Sequence, residues 1–432
     1  MRSINIGLIG FGNVGSGVVK ILRERKSFLS EKIGLEINIK KICDKDLSSK
    51  RNVNIDKQLL TKDAKDIIDD PQIDILVELI GGEHPAKEFI LEALKKGKHV
   101  VTANKALLAK DGHGLLAEAK DRGKNIYFEA SVGAGIPIVK SLREGLVANK
   151  FASIFGILNG TSNFVLSQMS EKNCSFGDAL AQAKKLGYAE QNPSLDIEGM
   201  DSAHKLVLLT YLCFGKFIPL DDVFVEGIER VSLADINYAK ELGFEIKLLA
   251  IAKKENDNLE VRVHPTLIPE SHLLASVSGV FNAIHVSSDL AGDLLFYGPG
   301  AGQLSAASAV VSDIVDLTQD IKAGLFKPTL NIIADKSISG LSKIDDFVSR
   351  YYIRFQAVDK PGVLAKISGI LAKYGISIAS VSQKERSRSQ VVPIVMVVHD
   401  AKEKNLRQSL DAISRLDVIN EKPIAIRIEE FL

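Results

Sequence analysis

Residues 4–9, Ile-Asn-Ile-Gly-Leu-Ile, run without a break into Gly10-Phe11-Gly12-Asn13-Val14-Gly15. A short β-rich apolar run, a glycine turn and a helical stretch over 18–22 give G-x-G-x-x-G the context that lends it meaning. In that context Gly10 permits a tight turn, Gly12 lets backbone approach a pyrophosphate, and Gly15 lets helix and strand pack closely. The helix start then offers free N–H groups and the positive end of a dipole to the phosphates. The competing reading is a glycine turn with a purely structural role.

The following residues repeat the strand-then-helix pattern. Strands are expected over 37–43, 73–80, 98–101 and 125–129, with a helix over 85–96. Alternation of this kind predicts an α/β fold with a doubly wound parallel sheet, whose ligands lie beyond the carboxyl ends of the strands. The candidate cofactor residues at those ends are Gly10, Phe11, Gly12, Asn13, Val14, Gly15, Lys45, Arg51, Thr102, Asn104 and Lys105. An acid after the second strand would bind a ribose 2′-hydroxyl and favour NAD, whereas a base would bind a 2′-phosphate and favour NADP. Asp44, Lys45, Asp46, Lys50 and Arg51 supply both, so both cofactors stay open. Lys105 reads either as a ligand-facing cation or as a solvated lysine at a helix start.

Composition narrows the class. The chain has 432 residues, 46% hydrophobic and 25% charged, which is ordinary for a globular protein and long enough for two or three domains. A net charge of +1 recruits neither nucleic acid nor anionic membrane in bulk. Cys43, Cys174 and Cys213 are odd in number and far apart, and read as buried thiols in a reducing compartment. No apolar run reaches about 18 residues, so no membrane span is expected. The N-terminus enters a strand directly, without a signal peptide, and the expected location is the cytoplasm. The histidines share no metal-ligand spacing and read as structural.

After residue 150 the pattern changes. A strand over 151–158 meets Asn159-Gly160-Thr161-Ser162-Asn163 at a helix start, and a helix over 178–185 leads into Gly187-Tyr188-Ala189-Glu190. Runs at 247–253, 259–264 and 280–287 suggest a mixed sheet covered by helices. From Asp196 the chain continues through Asp201 and Lys205 into an apolar helix ending at Phe214. A helix apolar nearly all round is buried, yet Asp201 and Lys205 share one face of it, a turn apart. Either a capping Asp and a snorkelling Lys stand there, or a desolvated lysine is suited to proton transfer. Glu129 through Pro137 ends the fifth strand in an irregular turn, and a buried carboxylate among carbonyls could hold a monovalent cation. A second glycine run, 297–302, opens a helix over 305–314 that is expected to return to the first domain and close over the cofactor.

The tail is a separate unit. Strands over 351–358, 376–382, 391–398 and 424–429, with helices after 361 and over 402–415, follow the βαββαβ order of the ferredoxin-like arrangement. The expected domains are a nucleotide-binding unit over 1–140 to which 298–320 returns, a central α+β unit over 141–297, a linker over 321–349 and the tail over 350–432.

Together GFGNVG, TANK at 102–105, EASVGAGIP at 129–137, NGTSN at 159–163, GYAEQNPSLDIEGMDSAHK at 187–205 and GPGAG at 298–302 resemble homoserine dehydrogenase over nearly the whole chain. The tail, with DKPGVL at 359–364, resembles an ACT domain, and the absence of a kinase-like region before residue 1 resembles the single-function form. The resemblance implies a Rossmann-type sheet, a central catalytic and dimerisation domain, and reversible hydride transfer between NAD or NADP and the pair L-aspartate 4-semialdehyde and L-homoserine. It implies Lys205 as proton donor, with Lys105 either polarising the same oxygen or anchoring the substrate carboxylate, and Asp201 orienting Lys205. Glu190, Asp201, Asp196 and Thr161 would bind substrate, and Gly302 would join the cofactor residues. Glu129 with the carbonyls of Val132, Ala134 and Ile136 would hold Na+ or K+. An effector such as L-threonine is expected on the tail, near 359–364, and a homodimer or homotetramer as the assembly. Two other readings are an ACT-containing 2-hydroxyacid dehydrogenase and a non-catalytic nicotinamide and amino-acid sensor.

Overall fold

The computed structural model describes residues 3–51, 53–324, 334–383 and 391–431. Of the connector expected over 321–349, residues 325–333 lie outside the described residues. The chain divides into two units, one of residues 1–152, 204–222 and 282–335, the other of residues 153–203, 223–281 and 336–432.

The first unit carries a sheet of six strands among the described residues: β1 Ser3–Ile9, β2 Glu36–Cys43, β3 Leu60–Thr61, β4 Ile75–Glu78, β5 His99–Thr102 and β6 Ile126–Tyr127. Their spatial order is β3-β2-β1-β4-β5-β6, all parallel. Parallel strands covered on both faces read as unbroken apolar runs, and Ile6, Leu8, Ile75, Leu76, Val77, Val100 and Val101 are fully or almost fully buried. The chain leaves β1 on one side and returns to β4 on the other, which makes the crevice beyond those two strands the switch point where such sheets bind ligands. The helix Asn13–Glu24 follows the glycine turn, and the helix Gln303–Ala323 packs on it through Gly17, where a Cβ would come 2.9 Å from the Ala307 methyl. This second helix runs further than the expected 305–314. The strand before it, Gly292–Pro299, takes in Tyr297 and leaves only Gly300–Gly302 to turn.

The second unit contains β7 Phe151–Ile157, β8 Phe244–Glu255, β9 Asn258–Pro269, β10 Val348–Val358, β11 Ile378–Ser382, β12 Val391–Lys402 and β13 Ile424–Ile428. Their order is β7-β8-β9-β13-β10-β12-β11. The four strands of the tail, in order β13-β10-β12-β11, carry the helices Val363–Lys373 and Glu403–Ile413, which completes the expected βαββαβ unit. Its last strand pairs in parallel with β9, Thr266 opposite Arg427 and Leu267 opposite Ile428, so one sheet continues through both parts of this unit.

The helix Met200–Phe214 is buried along most of its length, as its composition requires. Of the three cysteines expected to be buried, only Cys43 is; Cys174, between two helices, and Cys213, near the end of Met200–Phe214, are half-buried. His264 is fully buried and bonded to Thr266, His84 pairs with Glu88, and His113 packs edge-on against Phe217. Among the described residues no helix is long and apolar enough to cross a membrane.

Candidate active site

The carboxyl ends of β1, β2 and β4 open onto a cavity of about 600 Å³ lined by Gly10, Gly12, Asp44, Lys45, Lys62 and Gly81, among others. The glycines have distinct jobs there. Gly10 adopts φ +102°, and a Cβ on it would stand 2.6 Å from the Leu79 carbonyl carbon. A Cβ on Gly15 would stand 2.1 Å from the Gly10 oxygen, so only glycine lets the helix seat against the turn. At Gly12 a Cβ would meet nothing within 4 Å, which leaves room for a pyrophosphate against the backbone. Asn13 and Val14 form the first helical positions behind it.

Asp44 and Arg51 brace this turn. Asp44 Oδ2 accepts from the Phe11 N–H at 2.5 Å, and Arg51 Nε donates to the Phe11 carbonyl at 2.5 Å. The Arg51 guanidinium also stacks over the Phe11 ring at 4.7 Å and donates to the Ser49 and Asp46 carbonyls. Lys45 is exposed at the cavity edge, and Lys62 and Lys65, both exposed, line the same cavity. Those two lysines follow a strand only two residues long and were not singled out from the sequence. Burial raises the Cys43 thiol to about 11, which keeps it protonated and unreactive.

Beyond β5, Thr102 donates to Glu78 at 2.6 Å, and Asn104 caps the helix Lys105–Asp121 by accepting from Leu107 N–H at 3.1 Å. Asn104 Nδ2 donates to the Gly82 carbonyl at 2.6 Å, which ties the strand end to the glycine turn after β4. Lys105, half-buried, is the first residue of that helix. Glu78, 0% exposed, also accepts from Ile80 N–H at 2.8 Å. Burial pushes its carboxyl upward against the pull of these bonds. Lys205 is 7% exposed.

The turn after β6 is organised by Glu129. Its two carboxylate oxygens accept from Val139 and Lys140 N–H at 2.9 and 2.7 Å, and its own N–H donates to Asp313 at 2.8 Å. Burial raises its carboxyl to about 7 and the neighbouring Asp313 well above the usual carboxylate range. Val132 and Ile136 flank Gly133 and Ala134, both in the left-handed region at φ +70° and +53°. Glu129 and the backbone carbonyls of Val132, Ala134 and Ile136 offer oxygen atoms only, the donor type a hard cation takes. The Ile136 carbonyl already accepts from Ile138 N–H at 2.8 Å. Across the turn, Gly302 at φ +141° precedes Gln303, whose amide donates to Ser16 of the first helix at 3.0 Å.

In the second unit the hub is Asn159. As N-cap of the helix Gly160–Lys172 it accepts from Ser162 N–H at 2.8 Å. Its amide nitrogen donates to Asp196 at 2.6 Å and to Asp201 at 2.8 Å. Ser162 Oγ donates to the Asp196 carbonyl, and Thr161 Oγ1 donates to the Tyr188 carbonyl at 2.6 Å. Asp201 is 6% exposed and Asp196 half-buried, whereas Glu190 is exposed. The sequence motif placed Asn159 only at a helix start; its bonds to two distant aspartates carry no local signal.

Sequence models of three families match the chain: the homoserine dehydrogenase NAD binding domain over residues 10–129, homoserine dehydrogenase over 137–315, and the ACT domain over 351–418. A homoserine dehydrogenase of Neisseria gonorrhoeae is 43% identical over 99% of each chain. The crystal structure of a homoserine dehydrogenase from Thiobacillus denitrificans is 42% identical, with a TM-score of 0.91 over 100% of this chain and 99% of that one. A hyperthermophilic archaeal homoserine dehydrogenase in complex with NADPH is 29% identical, with a TM-score of 0.63 over 73% of this chain and 98% of that one. A nucleotide-binding sheet at one end, an ACT fold at the other and full-length likeness between them lead to one assignment: the chain belongs to the homoserine dehydrogenase family of NAD(P)-dependent oxidoreductases.

Proposed function

We propose that the chain interconverts L-homoserine and L-aspartate 4-semialdehyde, with Lys205 moving the proton. The observation that carries this reading is a lysine 7% exposed on a buried helix, one turn beyond an aspartate that is itself 6% exposed. The nicotinamide, when bound, accepts or supplies the hydride. In the oxidation direction Lys205 Nζ takes the hydroxyl proton of homoserine; in reduction it returns that proton to the alkoxide oxygen. Lys105 polarises the same oxygen or anchors the substrate carboxylate. Asp201, Asp196 and Glu190 face the substrate ammonium, and Asp201 orients Lys205. The Thr161 hydroxyl already donates to Tyr188, so its oxygen is left to accept from that ammonium.

Gly10, Phe11, Gly12, Asn13, Val14 and Gly15 hold the pyrophosphate, with Thr102, Asn104, Lys105 and Gly302 toward the nicotinamide. We favour NADP over NAD: Lys45, Lys62 and Lys65 rim the cavity, while Asp44 is already committed to Phe11. Arg51 acts by bracing the turn. Glu129 and the carbonyls of Val132, Ala134 and Ile136 take Na+ or K+. The ACT domain takes an amino-acid effector, L-threonine in our reading, and the enzyme works in the cytoplasm as a homodimer or homotetramer.

Lys205→Met tests the central assignment. Turnover should fall by about 100-fold or more, the scale of one general acid–base group, with cofactor binding retained by fluorescence titration. A near-normal kcat would remove Lys205 from the mechanism.

A further inference from the structure

Glu78 closes β4 and Thr102 closes β5, and the two stand opposite each other in the parallel register of the sheet. Both are 0% exposed. The Thr102 hydroxyl donates to Glu78 at 2.6 Å and accepts from the Asn104 N–H at 3.0 Å. Asn104 in turn caps the helix that Lys105 opens, and its side chain donates to the Gly82 carbonyl at 2.6 Å. Ile80 N–H donates to the other Glu78 oxygen at 2.8 Å, and the Gly81 N–H and the Asn104 side chain also favour the charged form. One carboxylate thus gathers both strand ends, all of them within the first unit.

Packing alone does not call for an acid here. The strand is otherwise Ile75, Leu76 and Val77, fully buried, and burial works against the charged form of Glu78. An apolar residue of similar size would avoid that cost. It could not orient a hydroxyl, however: an acceptor at 78 turns the Thr102 hydrogen toward β4 and leaves the hydroxyl lone pairs to the Asn104 N–H. Buried groups that work against stability gather where position serves function.

We propose that Glu78 is a positioning residue for the reaction: through Thr102 and Asn104 it fixes the corner that presents Lys105 to the substrate. This rests on the role proposed above for Lys105. The bonds run with one polarity, from Asn104 N–H to Thr102 and from Thr102 to Glu78. Glu78→Gln keeps the volume but replaces one acceptor oxygen with an NH2 donor, which must face either the Ile80 N–H or the Thr102 hydroxyl. Either arrangement loses a bond at the corner, and a displacement of about 1 Å in a reacting group is enough to cost about 100-fold in rate.

A double-mutant cycle on the full chain, with amide hydrogen exchange as a second readout, tests this. Glu78→Gln should lower kcat/KM for homoserine by at least about tenfold in the parent protein. In a Lys105→Ala background the same change should cost less than about twofold, because a residue that acts through Lys105 has nothing left to position. Thr102→Val, which removes the hydroxyl, should reproduce both results, and Thr102→Ser should recover most of what Thr102→Val loses. Independently of turnover, the Asn104 and Leu107 amides should exchange faster in Glu78→Gln while those of β1 keep their rates. Equal losses in the two backgrounds overturn the proposal, since a merely structural defect adds to any other. Unchanged exchange at 104 and 107 overturns it as well. Should Glu78→Gln not fold, Thr102→Val carries the cycle and the exchange measurement from the other end of the same bond. Should Lys105→Ala be too slow to assay, exchange alone decides. If the parent protein does not oxidise homoserine, the proposed activity falls, while exchange still reports whether Glu78 holds the corner.

Discussion

The Asp201 carboxylate accepts a 2.8 Å hydrogen bond from the Asn159 amide nitrogen, and the same nitrogen reaches Asp196 at 2.6 Å. One neutral amide thus holds two carboxylates in fixed positions without neutralising either. Asn159→Ala should release both. Each bond from a neutral donor to a charged group contributes about 1.5–3 kcal/mol, so the KM for homoserine should rise by at least about tenfold while kcat changes far less. A steady-state KM within twofold of the parent would show that the amide does not position the aspartates for substrate.

Cofactor choice should follow the lysines at the cavity edge. Lys45→Ala combined with Lys62→Ala removes two exposed ammonium groups that line it. The ratio of kcat/KM for NADP to that for NAD should drop by more than about tenfold, because only the 2′-phosphate loses partners. An unmoved ratio would mean that the 2′-phosphate, if bound, is met elsewhere.

Glu129 makes stability depend on pH. Its carboxyl is raised by burial from 4.5 to about 7, so the folded chain holds this proton more tightly than the unfolded chain. For an acid raised in this way, stability is fullest at low pH and is lost as pH climbs from about 4.5 towards 7. Asp313, raised for the same reason and by Glu129 itself, adds a loss of the same sign. A cation bound beside Glu129 favours the carboxylate and should flatten the slope. Melting curves across that range, in tetramethylammonium and then in potassium or sodium buffer, read both effects; identical slopes in the three buffers would argue against the cation.

A buried pair fastens the tail to its neighbours in the second unit. Arg354 Nε and Nη2 donate to Asp235 at 2.7 and 3.0 Å, and Tyr352 Oη donates to the same carboxylate at 3.0 Å. Asp235 is 0% exposed and also closes a capping box with Ser232. Asp235→Ala would leave a guanidinium buried without its partner and should cost about 3–5 kcal/mol. Urea unfolding of the full chain checks this; a loss under about 1 kcal/mol would mean that water or relaxation replaces the carboxylate.

The architecture was largely legible in the residues. Apolar runs ending in glycine announce parallel strands, and the βαββαβ order of the tail follows from its alternating runs. Neither the 2-hydroxyacid dehydrogenase nor the sensor reading is favoured, given a relative 43% identical over 99% of the chain. The misses have physical causes. Lys62 and Lys65 follow a two-residue strand with no periodicity to betray it. Glu78 sits in a strand of Ile, Leu and Val, and only the sheet order reveals that Thr102 of the next strand encloses it. Asn159 reaches partners 37 and 42 residues away, a relation that no local spacing encodes. The turn expected over 297–302 was too long because Tyr297 and Pro299 can still occupy an edge strand.

The outer edge of β9 is shielded in instalments: residues 340–341 at one end, 224–225 in the middle, and Arg427–Ile428 of the tail at the other. Cutting away the ACT end would strip the last of these covers and bare peptide groups that are prone to pair with another molecule. A shortened enzyme is then apt to clump for reasons unrelated to effector sensing, so questions about control are better put to the intact chain carrying single side-chain changes.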